Sequence, residues 1–350
     1  MKAIKCVIWD LDNTIWDGIL LEDQLISLKE HVLETIETLD KRGILQSIAS
    51  KNSYIQAEGA LRQLGIYDYF LCPEISWNAK SDSIKKIINT LNIGVDSVAF
   101  VDDQHYELDE VKYELPEINV IHTAEIQNIL AMPEMMPKYI TEDSMQRRSL
   151  YQSDMKRRGD EEVFSGPHEE FLATLNMQLT ISPLNEGDLQ RAAELTMRTH
   201  QLNTTGYSYS AEELKIMIKS EKYVVLIVGL DDKYGSYGKI GLILLERSIN
   251  EWNIKLLLMS CRVMTRGIGS ILINYLLEKA RISGVKLFAE YVPNEKNRMM
   301  YVTYKFSGFQ EVDSREALMV LENKFQYVQH VPGYVTIHDS MMKGYLCENE

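Results

Sequence analysis

Short apolar runs and longer segments of helical period alternate along the N-terminal part of the chain. Apolar runs at Cys6–Trp9, Leu45–Ala49 and Val98–Val101 predict three buried strands. Between the first two, the segment from about Leu28 to Asp40 has amphipathic helical spacing and is stopped by Gly43. This alternation predicts an α/β fold with a doubly wound parallel sheet.

Two aspartates follow the first predicted strand, at the end where α/β sheets place ligand sites. Asp10 can attack phosphorus as a carboxylate nucleophile, while Asp12 can protonate a leaving oxygen and later deprotonate water. Alone, a strand-end aspartate is more often a helix cap or a loop residue. The pair resembles the DxDxT signature of the haloacid dehalogenase (HAD) phosphatase superfamily.

The ends of the next elements supply candidate phosphate ligands. Ser50 and Asn52 follow the second strand, where a hydroxyl and an amide can hold phosphoryl oxygens. Lys80 precedes a second helical pattern, so its ammonium group can offset phosphate charge at the same sheet edge, although an isolated lysine is usually solvated. These residues occur in the order that a HAD active site requires.

Asp102 and Asp103 follow the third strand directly. Adjacent carboxylates repel unless a cation holds them, and hard oxygen ligands suit Mg²⁺, whereas an exposed acidic turn is the alternative. We therefore expect a Mg²⁺ site, for which Asp10 and Asp12 are the other candidate ligands.

The spacing of the motifs leaves no room for a separate cap domain. Roughly fifteen residues separate Asp12 from the first helix, and fewer separate Cys72 from Lys80. A capless site is open, so it can accept a large substrate or be covered by a second domain.

Composition sets further limits. At 350 residues the chain is long for one core, so two domains are expected. A formal net charge of −14 without a basic stripe argues against nucleic acid. Four cysteines without CxxC or zinc spacing suggest a reducing compartment; they are Cys6, Cys72, Cys261 and Cys347. With neither signal peptide nor membrane span predicted, we expect a cytoplasmic protein.

Changes in pattern predict the domain boundaries. We expect a HAD-like domain at 1–135, a charged linker at 136–167, a second α+β domain at 168–325 and a docked tail at 326–350. The basic residues of the linker are Arg147, Arg148, Lys156, Arg157 and Arg158. A connecting helix with solvated charged faces is the expected structure, and contact with an acidic carrier protein or a phosphate is the alternative.

A glycine-rich turn lies between a strand and a helix in the second domain. The apolar run Lys255–Ser260 predicts a strand ending at Cys261, and the turn after it contains Arg266, Gly267, Gly269 and Ser270. A helix N-terminus presents free N–H groups and partial positive charge to a phosphate. With Asn297, Tyr304, Gly308 and Phe309, the turn resembles the GCN5-related N-acetyltransferases (GNATs), which bind coenzyme A.

The GNAT resemblance implies roles for these residues. It places the pyrophosphate or pantetheine arm at the turn, and it makes Tyr304 the group that protonates a departing thiolate. Met264 stands where that family usually has Arg or Gln, which counts against ordinary acetyl-coenzyme A binding.

A closer resemblance extends from Met1 to about Leu321. It is carried by WDLDNTIWDG, ILQSIASKN, FVDDQHYE, RTHQLNTTGY and LLLMSCRVMTRGIG, which are similar to the FkbH-like family of polyketide and nonribosomal peptide pathways. That resemblance implies a glyceryltransferase/phosphatase that takes a glyceryl unit from 1,3-bisphosphoglycerate, removes phosphate and loads the unit as a thioester on an acyl carrier protein. The product feeds extender units or tetronates. Mg²⁺ is the implied cofactor, and the phosphopantetheine arm of the carrier is the implied acceptor.

Cys261 is the candidate nucleophile for acyl transfer. Its thiolate could attack the acyl phosphate, release phosphate and hold the glyceryl group, favoured by Arg262 and the following helix N-terminus. A cysteine at the end of an apolar strand is otherwise usually inert core. His200 and Asn203 are candidates to assist, although a lone histidine is more often structural.

Two other functions stay open from the sequence. The first is a HAD phosphatase fused to an independent N-acyltransferase acting on an amine, against which Met264 counts. The second is a docking or scaffolding module with a relic active site, against which the intact Asp10, Asp12, Lys80 and Asp102 argue.

Overall fold

The computed structural model describes residues 3–23, 26–325 and 331–340. The chain forms two compact units, Met1–Gln152 and Ser153–Glu350. The division falls inside the predicted linker. None of the helices in the described ranges is long and apolar enough to cross a membrane.

The first unit is built on a parallel sheet. Its strands are β1 (Cys6–Trp9), β2 (Trp16–Asp17), β3 (Ser27–Leu28), β4 (Leu45–Ser50), β5 (Glu74–Ile75), β6 (Val98–Asp102) and β7 (Asn119–His122). Five of them pair in the order β5-β4-β1-β6-β7, and β2 pairs with β3. The central strand β1 is buried throughout and pairs in parallel with β4 and β6. The carboxyl ends of β4, β1 and β6 therefore meet at one edge of the sheet.

Helices lie between these strands and after the last of them. They are α1 (Val32–Lys41), α2 (Tyr54–Gln63), α3 (Lys80–Leu91), α4 (His105–Glu114), α5 (Ile126–Ile129), α6 (Glu142–Met145) and α7 (Arg147–Val163), the last of which extends past Gln152. The first helix begins four residues later than the pattern predicted, because Leu28 pairs with Trp16 in the β2–β3 ribbon. Among the described residues between β1 and α1, those two short strands are the regular elements, which agrees with a capless arrangement.

The predicted linker is largely helical. We expected its basic side chains to be solvated, but two of them are buried. Arg147 is buried and donates to the Gly43 carbonyl oxygen at 2.7 Å. Arg157 is fully buried and its Nε lies 2.8 Å from an Asp232 carboxylate oxygen. Sequence charge alone could not show this, because each guanidinium bonds to a residue that is distant in the chain.

The second unit is a mixed α+β structure. Its strands are β8 (Met177–Pro183), β9 (Tyr223–Asp232), β10 (Gly235–Arg247), β11 (Glu251–Met259), β12 (Lys286–Tyr291), β13 (Phe309–Arg315), β14 (Leu318–Asn323) and β15 (Val335–Asp339). They form one sheet in the order β13-β14-β12-β11-β10-β9-β8-β15. The β11–β12 and β15–β8 pairs are parallel, and the others are antiparallel.

Besides the end of α7, the described part of this unit contains the helices α8 (His168–Thr174), α9 (Leu189–Arg198), α10 (Ala211–Ile218), α11 (Ile268–Ile282) and α12 (Arg298–Phe306). The predicted tail contributes β15, while 326–330 and 341–350 lie outside the described residues. The fold class predicted from the sequence, a doubly wound parallel sheet followed by an α+β domain, is confirmed.

Candidate functional site

The predicted nucleophile lies within a buried ion-pair group in the first unit. Asp10 follows the last residue of β1, and the Lys80 ammonium nitrogen at the start of α3 is 3.0 Å from its Oδ1. The same nitrogen is 2.6 Å from Oδ2 of Asp102, at the end of β6. Burial raises the pKa of Asp10, and the charge of Lys80 opposes that shift. One ammonium thus stabilises two carboxylates at the carboxyl edge of the sheet.

Three carboxylates at this edge can hold a cation. One ligand oxygen each from Asp10, Asp102 and Asp103 lie within 4.8 Å of one another. Burial, reinforced by the charge of Asp10, raises the pKa of Asp102 to about 6. Oδ1 of Asp103 is buried and has no hydrogen-bond partner within the described part of the chain. Clustered carboxylates, one with an unsatisfied oxygen, are hard ligands that fit Mg²⁺.

The Asp12 side chain does not join this metal group, contrary to our expectation. Its Oδ1 accepts hydrogen bonds from the Trp16 indole at 2.8 Å and the Leu20 backbone N–H at 3.1 Å. Its Oδ2 accepts a hydrogen bond from the Asn52 amide at 3.0 Å. Both oxygens of Asp12 already accept hydrogen bonds and neither belongs to the cluster of Asp10, Asp102 and Asp103, so its role as a metal ligand stays a prediction. Its predicted role in proton transfer stays a prediction.

The two predicted phosphate ligands after β4 lie at the same edge. Ser50 is buried, and its side chain hydrogen-bonds to Asp10. Asn52 is buried as well and, besides its bond to Asp12, accepts a hydrogen bond from the Ser53 backbone N–H at 2.9 Å. The structure therefore brings together Ser50, Asn52, Lys80 and the aspartates.

Sequence reasoning gave no role to four residues that contact the site residues or follow them closely in the chain. The Nε2 atom of His122, at the end of β7, is 2.9 Å from the Asp103 carbonyl oxygen, so a proton on Nε2 would be donated to it. The His122 ring stacks on His105 with 4.4 Å between centroids. Lys51 forms an ion pair of 2.6 Å with Glu107 of α4. Because His122 ends β7, which pairs with β6, its position at a strand end is the sequence signal that could have identified it.

In the second unit, Cys261 begins the turn Cys261–Arg266 directly after β11 and Ser260, and its side chain is partly exposed. The predicted glycine turn is present. Gly267 has a φ of 70° and precedes α11. A Cβ at Gly269 would lie 3.1 Å from the Met259 methyl carbon, which is close for any larger residue. Ser270 lies in the first turn of α11, so its backbone N–H has no partner within that helix.

The Arg266 guanidinium is turned into the protein. It is buried and its Nη1 donates to Glu161 at 2.8 Å. Glu161 also lies 3.0 Å from a ring nitrogen of His168. The predicted contribution of Arg266 to pantetheine binding is therefore limited to its backbone in this conformation.

The remaining predicted residues of this unit differ in accessibility. Tyr304 is completely buried, and burial raises its pKa far more than the neighbouring Thr204 hydroxyl lowers it. His200 is exposed, and Asn203 is completely buried. Tyr304 thus cannot touch a bound thiolate as the structure stands, which corrects the expectation for its role. The structure does not bring Cys261, Tyr304 and His200 together on one accessible surface.

Comparison with known proteins agrees with the chemistry of the first unit. Residues 18–112 match the family of haloacid dehalogenase-like hydrolases. The match includes Ser50, Lys80, Asp102 and Asp103 but begins after Asp10. Over these residues the first unit is therefore similar to haloacid dehalogenase-like hydrolases. No curated protein sequence matches the chain.

Several solved structures are similar to parts of the chain. The N-terminal part of the protein BF1531 from Bacteroides fragilis, which contains a phosphatase domain complexed with Mg, is 29% identical, with 43% of this chain and 39% of that chain covered and a TM-score of 0.32. The chain thus spans about two fifths of that structure's length. The ribosomal-protein-S18-alanine N-acetyltransferase from Escherichia coli is 17% identical, with 43% of this chain and 99% of that chain covered and a TM-score of 0.33. The GNAT domain of S. lividans PAT is 16% identical, with 41% of this chain and 88% of that chain covered and a TM-score of 0.33.

Proposed function

We propose that this chain is a Mg²⁺-dependent glyceryltransferase/phosphatase. It takes a glyceryl unit from 1,3-bisphosphoglycerate, removes phosphate and loads the unit as a thioester on an acyl carrier protein for polyketide or related biosynthesis. The observation that carries the proposal is the buried group of Asp10, Lys80 and Asp102, with Asp103 beside it, at the sheet edge of a HAD-like domain. The glyceryl and carrier parts rest on the sequence resemblance to the FkbH-like family.

Phosphate ester hydrolysis is assigned to the first unit. The Asp10 carboxylate attacks phosphorus, the bond from phosphorus to the ester oxygen breaks, and that oxygen takes up a proton from Asp12. Water then gives a proton to Asp12 as it attacks the aspartyl phosphate, and this step releases inorganic phosphate and restores Asp10 and the protonated Asp12. Lys80 offsets part of the negative charge of Asp10 and Asp102. Mg²⁺ bound by Asp10, Asp102 and Asp103 would supply positive charge for the phosphoryl oxygens.

Acyl transfer is assigned to the partly exposed Cys261. Its thiolate attacks the carbonyl carbon of the acyl phosphate, the carbon–oxygen bond breaks, and inorganic phosphate leaves with the electron pair. The thiolate of the carrier arm then attacks the enzyme thioester and Cys261 leaves as thiolate. Because this step consumes the acyl phosphate at carbon, the phosphate ester is left for Asp10.

Intact-mass measurement of the carrier tests the proposal. The full chain, Mg²⁺ and 1,3-bisphosphoglycerate are incubated with holo-carrier protein, and apo-carrier, which lacks the phosphopantetheine arm, is the matched control. We expect a glyceryl adduct on the holo form that hydroxylamine removes, and none on the apo form. An unchanged holo-carrier, together with acetylation of an amine by acetyl-coenzyme A, would instead support the fused N-acyltransferase.

A further inference from the structure

Two strands of the second unit separate along their length. Pairing joins Glu251–Ile254 of β11 to Lys286–Ala289 of β12, whereas β11 continues to Met259 and β12 to Tyr291. Separated strands present N–H and C=O groups on facing edges, and such an edge can bind an extended amide-containing chain as an added strand. A pantetheine arm, which contains amides, is a chain of that kind. The cleft, however, already holds Leu202–Thr205, which we call the inserted segment.

Hydrogen bonds attach the inserted segment to both strands. The Met259 N–H donates to the Leu202 carbonyl oxygen at 2.8 Å, and the Thr204 N–H donates to the Leu257 carbonyl oxygen at 3.1 Å. The Leu257 N–H donates to the Thr204 hydroxyl oxygen at 3.0 Å. From the β12 side, the Val292 N–H donates to the Thr204 carbonyl oxygen at 3.0 Å. Four backbone groups that an added strand could use are therefore already paired: the Met259 N–H, both groups of Leu257 and the Val292 N–H.

Asparagine side chains fix the conformation of the segment. The Asn297 amide donates to the carbonyl oxygens of Asn203 at 3.0 Å and Val292 at 2.9 Å. Oδ1 of Asn203 accepts hydrogen bonds from the backbone N–H groups of Thr205 at 3.1 Å and Gly206 at 2.8 Å. Asn203 and Asn297 are completely buried. Displacing the segment would leave these buried donors and acceptors unpaired, which is costly.

The inserted segment also lies beside the Tyr304 hydroxyl, which a thioester arm in the cleft would approach. The Tyr304 ring is completely buried against Phe309, and its hydroxyl neighbours the Thr204 side chain. Cys261, by contrast, begins the turn beyond the end of β11 and is partly exposed. The two groups thus differ in access although both belong to the motifs that resemble an acetyltransferase.

We propose that the inserted segment is a specificity-determining element that closes the β11–β12 cleft to pantetheine arms. The second unit then does not bind acetyl-coenzyme A along β11, and a carrier thiol reaches Cys261 from outside the cleft. The second statement rests on the proposed function, whereas the first stands independently of it.

Binding and hydrogen exchange test the closed cleft in the full-length protein. Titration calorimetry with acetyl-coenzyme A should show no binding tighter than about 1 mM, a ΔG of about −4 kcal/mol. Hydrogen-exchange mass spectrometry should show protection of Leu202–Thr205 and of β11 that neither acetyl-coenzyme A nor holo-carrier changes. Micromolar binding accompanied by faster exchange in Leu202–Thr205 would overturn the proposal.

Tyr304→Phe gives a second readout that does not require disruption of the segment. If the cleft stays closed, the missing hydroxyl leaves the rate of carrier loading within about twofold of wild type. If the segment opens during turnover, the Tyr304 hydroxyl is uncovered. A loading rate of Tyr304→Phe that is lower than wild type by about tenfold or more, with unchanged thermal stability, would refute the closed cleft. Complete absence of loading in wild type would refute the proposed function instead, and the exchange data would still decide the state of the cleft.

Discussion

The two units place their predicted residues in opposite ways. In the first, Ser50 and Asp102 end two parallel strands and Asp10 directly follows the strand between them, so the fold itself brings them to one edge. In the second, Tyr304 is buried while Cys261 is partly exposed, because helix α12 packs its tyrosine into the core. Parallel strands share a carboxyl edge, whereas a mixed sheet has no comparable rule that gathers the ends of its elements.

The units also differ in what they bury. The first buries charge: Asp10, Lys80 and Asp102 are nearly inaccessible, and the pKa values of both carboxyl groups are raised mainly by burial. The second fills its strand cleft with the hydrogen-bonded amide of Asn297 and the hydrogen-bonded hydroxyl of Thr204. Buried charge that a cation can relieve indicates a reactive site, whereas satisfied neutral groups indicate a structural closure.

The largest effect should come from Asp10→Asn. The carboxamide has almost the same shape but is a far poorer nucleophile, so release of phosphate from a small phosphate ester should fall by at least ~10³-fold. A malachite-green assay measures the loss, and circular dichroism checks the fold. Cys261→Ala is the matched control and should retain wild-type hydrolysis. Wild-type-like phosphate release by Asp10→Asn would remove Asp10 from its proposed role.

Removal of metal should stop the reaction assigned to the first unit and leave the reaction assigned to the second unit intact. EDTA should stop phosphate ester hydrolysis, added Mg²⁺ should restore it, and Ca²⁺ should substitute poorly because its bonds are longer and its geometry is looser. Thioester formation on Cys261, followed by mass spectrometry, should continue in EDTA. Full hydrolytic activity in a metal-stripped protein would contradict the carboxylate metal site.

Mg²⁺ should stabilise the protein in a pH-dependent manner. The folded-state pKa of Asp102 is about 6, above its usual 3.8, so the folded state binds the proton more tightly. Protonation of Asp102 therefore contributes to the free energy of unfolding in full below about pH 4, and this contribution is lost as the pH rises through about 6. Mg²⁺ needs the ionised form, so it should raise the Tm at about pH 7.5 and have little effect at about pH 4.5. Equal Tm increases at both pH values, or an increase retained by Asp102→Asn, would contradict this linkage.

A smaller effect is expected from His122→Phe. The phenyl ring preserves the stack on His105 but loses the N–H group that contacts the Asp103 carbonyl oxygen. Calorimetric Mg²⁺ affinity should weaken by about tenfold, the lower end of the usual range for residues that orient metal ligands. His105→Phe leaves the contact to Asp103 in place and should bind Mg²⁺ like wild type. Equal affinities of the two variants would assign His122 to packing alone.

The first unit was largely predictable because its chemistry is local to strand ends. Asp10, Ser50, Lys80 and Asp102 stand where the apolar runs stop or a helix begins, and parallel pairing does the rest. The Asp12 side chain escaped prediction because the partners that occupy it, Trp16, Leu20 and Asn52, are set by the path of the chain after β1.

In the second unit, periodicity predicted the strand before Cys261 and the helix after Gly267, but not the closed cleft. The inserted segment comes from a polar stretch before α10 and pairs with a strand more than fifty residues later, as the Thr204 to Leu257 separation of 53 shows. The burial of Arg157 against Asp232 is likewise a long-range contact that charge patterning does not reveal.

The mass of the carrier product from two variants tests the division of chemistry between the units most directly. With 1,3-bisphosphoglycerate and holo-carrier, Cys261→Ala should leave the carrier unloaded, and Asp10→Asn should load it with a glyceryl thioester that still bears its phosphate ester. Wild type should give the dephosphorylated glyceryl thioester. A dephosphorylated, loaded carrier from Asp10→Asn, or normal loading by Cys261→Ala, would contradict the assignment of phosphate removal to Asp10 and of acyl transfer to Cys261.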